Sequence, residues 1–406
     1  MDENSKVSFD SKSVQEILTL RYDTTQIPKL QKLTSKQFIQ QNEKVSIDKI
    51  EKLISDEIIS KINPEKTKLS LALSGGIDST LVLALIRKQF PKIPIETISI
   101  KFADSNDESI IASKTAEHFE TNHSIIYLEN FLQELPKAIY ISEKPFWDLH
   151  WYYVVKKSNS FSNCLASGDG GDELFGGYSF RYSKFLTLVN QTSSPVEKVK
   201  AYLQCHERDR VPDQENIFKE KLKFSWNSIY NILLPYFDNT LSLLDQVFLA
   251  DYNGKLLYNF SPINSKLHKY FKIDSLTPIL SNNMINYSTQ ISSNQKYNQK
   301  NNIGKIPLRT LLKNLDAEKF VSPTKLGFSI NTLNLWKTFG QRISKSYLTE
   351  ARIVQDGLIN DDWIKKYLNS TNLNVNYVNK FLGLLAFEIW YRLFITKEMK
   401  SHEQLT

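Results

Sequence analysis

Leu71-Ala72-Leu73-Ser74-Gly75-Gly76-Ile77-Asp78-Ser79-Thr80 joins a short apolar run to a helical pattern, and its reading decides the fold. An apolar run followed by small residues and then a helical period is a strand, a tight turn and a helix. Small residues let the backbone come close to a ligand, and the first N–H groups of the helix point into the turn. With the helix dipole they form an anion site suited to pyrophosphate. Ser74, Ser79 and Thr80 add hydroxyl donors. Asp78 would repel phosphate unless a divalent cation lay between them, so its presence points to Mg²⁺. The Gly-Lys-Ser/Thr spacing of a Walker A loop is absent.

Outward from this turn the pattern alternates. Ile47, Ile50, Leu53, Ile54, Ile58, Ile59 and Ile62 recur at three-to-four spacing and predict an amphipathic helix over 46–62. Strands are expected at Leu69 to Leu73, Ile95 to Phe102, Ser124 to Leu128 and Asn163 to Ala166, with helices at Thr80 to Phe90 and Asp107 to Phe119. Strands separated by helices of this length make parallel βαβ units, so the expected class is α/β with an open parallel sheet covered on both faces. Past about residue 185 the pattern is mostly helical, most regular over Val247 to Phe260 and Tyr377 to Ile395. The Asn-, Ser- and Gln-rich stretch from Asn282 to Asn302 is expected to be a loop or poorly ordered insertion. The chain therefore divides into a linker-like segment with its helix (1–64), a nucleotide-binding core (65–185) and a mostly helical substrate-side region (186–406).

Composition narrows the class without naming a function. The 406 residues are 41% hydrophobic and 23% charged, ordinary for a soluble globular protein. The net charge of +7 is scattered among acids with no Lys/Arg block, so it does not point to nucleic acid. Cys164 and Cys205 lie far apart, which excludes a CxxC zinc or redox motif and fits a reducing cytoplasm. No apolar signal segment opens the sequence. Phe381 to Ile395 is too short, and carries Glu388 and Arg392, to read as a membrane span. His123 and His150 read as structural, the latter packed beside Trp147 and Trp151.

A second turn, Ser167-Gly168-Asp169-Gly170-Gly171-Asp172-Glu173-Leu174-Phe175-Gly176-Gly177-Tyr178, packs three acids and five glycines into a dozen residues. That makes a poor core element and a good flexible wall for a cation-bridged triphosphate. Asp172 and Asp78 are placed to clamp Mg²⁺ from two neighbouring strand ends, where open α/β sheets bind ligands. EF-hand spacing is absent.

The first turn resembles the PP-loop of the N-type ATP pyrophosphatases, which cleave ATP between its α and β phosphates. The second resembles the synthetase domain of the asparagine synthetases and their relatives, the β-lactam synthetases and lasso-peptide cyclases. The resemblance extends to Thr97 to Phe102, Asp107-Glu108, Ala112, Ala116, His123, Glu143 to Asp148, Gly304-Lys305, Leu308-Arg309, Lys325-x-Gly327-Phe328 and the helix holding Glu388 and Trp390. It covers about residues 65 to 395, densely as far as Tyr178.

The resemblance implies a Rossmann-like PP-loop fold and an AMP-forming amide ligase using ATP and Mg²⁺. The backbone at Ala72, Leu73, Ile100, Ser167 and Gly168 would hold adenosine. Ser74, Gly75, Gly76, Asp78 and Ser79 would cradle phosphates, and Asp78 and Asp172 would carry Mg²⁺. Lys325 would steady the reacting phosphorus, and Asp169 stands where the family often has Glu near the reacting carboxylate. Aspartate is the first candidate substrate, with ammonia, a separate glutaminase or an amine on the substrate as nitrogen source.

Two departures stand out. Position 2 is Asp2 rather than the nucleophilic cysteine of a glutaminase domain, and Val14 to Phe38 resembles the piece that joins the two domains. The acceptor-side stretch is also changed over Ser265 to Pro278, with Leu276 where the family has Arg, so substrate recognition is expected to differ. Amidation or cyclisation of another carboxylate, a tRNA-directed PP-loop enzyme and a non-catalytic nucleotide-binding subunit are the rival readings.

Overall fold

A computed structural model describes residues 7–38, 44–103, 109–321, 330–370 and 372–406. Five parallel strands form one sheet: β1 (Leu69–Ala72), β2 (Ile95–Phe102), β3 (Asn122–Leu128), β4 (Cys164–Ala166) and β5 (Asp274–Leu276), in the order β3-β2-β1-β4-β5. The expected open parallel α/β sheet is present.

Strand alternation gives each face its own core. Leu69, Leu71, Cys164 and Ala166 pack on one face with the isoleucines of α2 (Ile47–Lys61), among which Ile50, Ile54 and Ile58 are fully buried. Ala72, Ile98, Ile100 and Leu165 face the other side, with Trp147, Trp151 and the C-terminal helix Val375–Phe394. That helix is buried as predicted. Its Glu388 accepts from the backbone N–H groups of Arg352 and Ile353 (2.9 and 3.1 Å) and pairs with Arg392, so a buried carboxylate caps a neighbouring helix. Among the described residues no helix is long and apolar enough to cross a membrane.

The segment 7–38 is part of the body. Its helix α1 (Ser11–Leu20), capped by Asp10, is buried from Ser13 to Leu20 and packs on the C-terminal helix.

Three elements differ from the sequence reading. The stretch Asn282 to Asn302 is not simply a loop: it contains helices Asn282–Ser288 and Ser293–Lys296 and buries Met284, Ile285, Tyr287, Ile291 and Tyr297. Ser281 caps the first helix, while Gln295 and Tyr287 accept the backbone N–H groups of Val45 and Ser46 at the entrance to α2. The polar residues satisfy backbone, and the few apolar ones supply the contact. The edge strand β5 was also unanticipated; its three residues are two exposed polar positions and one buried leucine, too short for a period. Helix α3 (Ile77–Gln89) begins three residues before the expected start, and Asp107 and Glu108 of the next predicted helix lie outside the described residues, its described part being Ser109–His118.

Candidate active site

The chain runs from β1 to β2 and β3 on one side of the sheet, then returns to lay β4 on the other side of β1. The direction of winding reverses between β1 and β4, and a crevice opens beyond the carboxyl ends of strands at such a point. Both glycine turns leave these two strand ends.

The turns are in close contact, and two glycines allow it. A Cβ on Gly168 would lie 2.6 Å from the backbone of Asp78 and Ser79. One on Gly171 would lie 2.2 Å from Asp78 Oδ1. In the first turn Ser79 Oγ accepts from the Ser74 N–H and donates to Gly76 O (both 3.3 Å), and Ser74 Oγ accepts from the Gly76 N–H. Gly76 precedes α3 with no side-chain cap, leaving the helix start to backbone donors.

Between the turns sits Lys305. Its ammonium is 2.8 Å from Asp172 Oδ1 and also pairs with Asp78 Oδ2. Burial works against that charge, but Asp172 and Asp78 more than offset it and hold the ammonium above its ordinary value. The carboxylates expected to carry Mg²⁺ therefore do converge on one cation position, and Lys305 fills it. Among the described residues no group of three His, Cys, Asp or Glu side chains makes a protein-only metal site. Two carboxylates completed by phosphate oxygens and water suit Mg²⁺, so the residues fit a metal that arrives with a nucleotide.

Asp169 faces the same cleft; burial raises its carboxyl above the ordinary value, and Asn264 is 3.5 Å from its Oδ2. Glu173 is raised to about 7, first by burial and then by Asp172, and accepts a 2.6 Å bond from the Tyr178 hydroxyl.

The cleft holds about 690 Å³, within the roughly 300–1,000 Å³ usual for small-molecule sites. Ala72, Ser74, Asp78, Ser79, Ser167, Gly168, Asp169 and Asp172 line it. Leu73 stands behind this wall: its N–H bonds Ile98 O (2.8 Å) and its carbonyl accepts from Ser99 Oγ (2.6 Å). Ile100 is in the sheet, and Gly75 and Gly76 shape the turn without lining the cleft. Lys325 lies outside the described residues.

Sequence reading missed a second set of lining residues. Arg21, at the end of α1, pairs with Asp148 and with Asp209 (3.3 Å), and Lys255 pairs with Asp209 at 2.6 Å. Burial alone would raise Asp209, yet Lys255 and Arg21 hold it well below the usual carboxylate range. Arg181 lies 3.2 Å from Asp251 and 3.5 Å above the Tyr178 ring. Burial, then Arg181 and Lys255, push the His206 imidazole beside it well below its ordinary value. His150 also lines the cleft. These residues come from separate elements, including a π-type helical segment, Tyr252–Phe260, kinked at Gly254, and no local motif joins them.

The profile of the Asparagine synthase family matches residues 63–392. The chain belongs to that family. Asparagine synthetase (glutamine-hydrolyzing) 1 of Bacillus subtilis is 25% identical over 402 residues, 88% of this chain and 61% of that protein. The human asparagine synthetase (glutamine-hydrolyzing) is 31% identical over 128 residues, 28% of this chain and 22% of that protein. The chain thus spans less than two thirds of the length of either relative. Among solved structures, the NH₃-dependent NAD synthetase of Campylobacter jejuni is similar over 51% of this chain and 97% of its own, with 15% identity and a TM-score of 0.27.

Proposed function

We propose that the chain activates a substrate carboxylate with ATP and passes the acyl group to ammonia or an amine, with aspartate as the first candidate acid. The observation that carries this reading is the convergence of Asp78 and Asp172 on one cation position where two glycine turns meet. A carboxylate oxygen attacks the α phosphorus; the new P–O bond forms as the bond to the β phosphate breaks, and pyrophosphate leaves with the electron pair. The nitrogen then attacks the acyl carbon, the C–O bond to AMP breaks, and one proton is lost.

The chain's own groups fit these needs. Asp78 and Asp172 would hold Mg²⁺, which neutralises phosphate charge when bound. Lys305, beside both acids, would supply a positive charge for phosphate oxygens. Backbone N–H groups at the start of α3 stabilise developing negative charge. Asp169, buried in the same cleft with its carboxyl raised, is a candidate to accept the proton lost by the attacking nitrogen. Lys325 is proposed, from its motif, to steady the reacting phosphorus.

The test is product analysis with Mg-ATP, ammonium and aspartate. AMP, pyrophosphate and asparagine are expected in equal amounts, and Asp172→Asn should cut the rate by about 10²–10³-fold, the scale of losing a preorganised charge contact. ADP and phosphate as products would refute the reading.

A further inference from the structure

The C-terminal helix Val375–Phe394 buries an ammonium on a face that is otherwise core. Lys380 is 3% exposed, and Val378, Phe381 and Leu382 around it in sequence are fully buried. A charge taken out of water is costly unless something answers it. Its two partners are backbone oxygens rather than a carboxylate: Nζ donates to Leu18 O and to Asp209 O, the latter at 3.2 Å. Leu18 lies in the last turn of α1, where helix carbonyls lack internal partners and a cation is favoured. Asn379, next to Lys380, donates to Arg208 O at 3.2 Å, and Gln214 donates to Leu18 O at 3.1 Å. One buried charge thus clasps the end of α1 to the single turn Glu207–Asp209.

Both clasped pieces carry cleft groups. Arg21 follows Leu18 at the end of the same helix, and it pairs at 3.3 Å with Asp209, which also holds Lys255. Arg21, Asp209 and Asn379 line the cleft, while Lys380 stands behind them. A void of about 20 Å³ lined by Lys380, Arg21, Trp147, Asp148 and Asp209 leaves these side chains room to settle differently if the clasp opens. The charged groups facing Lys380 are Arg21 from α1, Asp209 from the single turn and Asp148 from the loop before the helix His150–Ser158. Burial pushes the ammonium down to about 7; Asp209 opposes the fall and Arg21 adds to it.

We infer that Lys380 is a positioning residue: from behind the cleft, and only while it carries its charge, it holds the end of α1 and Asp209 in the arrangement that the reaction uses. The inference rests on the adenylation reading above. The alternative is structural: Lys380 ties two elements together, and its charge is irrelevant to turnover.

The full chain is assayed for AMP formation from Mg-ATP and aspartate between pH 6 and 9, with hydroxylamine as the capturing amine. Lys380→Arg keeps the charge throughout, and Lys380→Met never carries it. The ratio of wild type to Lys380→Arg cancels the titration of Asp169 and Glu173, which both proteins share. Their kcat/KM values for aspartate should agree within about threefold at pH 6, and wild type should lie about tenfold below Lys380→Arg at pH 8, with equal KM for ATP. Lys380→Met should be about tenfold or more below wild type at pH 6; equal rates there overturn the inference even if Lys380→Arg does not fold. Stability moves the other way. Folding favours the neutral amine, so wild type carries the full cost of the buried charge below about pH 7 and is relieved of it as pH rises toward the ordinary 10.5. Its melting temperature should therefore climb relative to Lys380→Met over the range in which its activity falls. A structural lysine gives the climb without the fall, so parallel activity profiles for wild type and Lys380→Arg overturn the inference and leave the adenylation reading standing. If wild type makes no AMP from aspartate at any pH, that reading fails instead, and hydrogen exchange of α1 decides: faster exchange in wild type than in Lys380→Arg at pH 9 upholds the clasp, and equal exchange overturns it.

Discussion

Lys305 places an ammonium between the carboxylates of Asp78 and Asp172. Removing it takes away the ammonium that Asp78 and Asp172 share. Lys305→Met is therefore expected to lose about 3–5 kcal/mol of stability, as when one partner of a buried pair is deleted. Added Mg²⁺ should restore more melting temperature to the variant than to wild type, because the cation binds the folded site. Glu173 makes a pH-dependent contribution. Its folded value of about 7 lies above the ordinary 4.5, so the folded state favours the protonated form. Its share of stability is complete below pH 4.5 and is lost as pH rises to about 7. Denaturant melts across that window should show wild type losing stability relative to Glu173→Gln, by on the order of 1 kcal/mol per pH unit.

At the scale of elements, two strand-end turns are held in backbone contact by residues without side chains. Gly168→Ala forces a Cβ to within 2.6 Å of backbone that cannot rotate away. The variant is expected to lose about 1–3 kcal/mol, the usual cost of overpacking, and to lose nucleotide affinity with it. A melting curve and a nucleotide titration check both; unchanged nucleotide affinity would show that the turns need not touch. These turns were legible in the sequence because their composition is unusual in itself. The four other strands were legible as short apolar runs bounded by turn or helix signals. β5 was not, since three residues at a sheet edge hold no period, and Asn282 to Asn302 was misread because its buried Met284, Ile285 and Tyr287 stand among amides that satisfy backbone.

For the whole molecule, the sheet order sets the site. With β1 between β2 and β4, the crevice that the reversal of winding opens lies where the glycine turns are. The side of the cleft formed by the glycine turns could be read from local motifs, because each turn gathers its polar groups within a dozen residues. The other side could not. Arg21, Asp148, Asp209 and Lys255 are assembled from four separated elements by the packing of α1 and the kinked segment, and the sequence carries no spacing that joins them. In the proposed reaction a carboxylate oxygen becomes bonded to the α phosphorus of ATP. The most direct test uses aspartate labelled with oxygen-18 in its side-chain carboxylate, with Mg-ATP and ammonium, followed by mass spectrometry of the nucleotide product. The account predicts AMP carrying one labelled oxygen and unlabelled pyrophosphate. Label in inorganic phosphate, with ADP as the nucleotide, would contradict it.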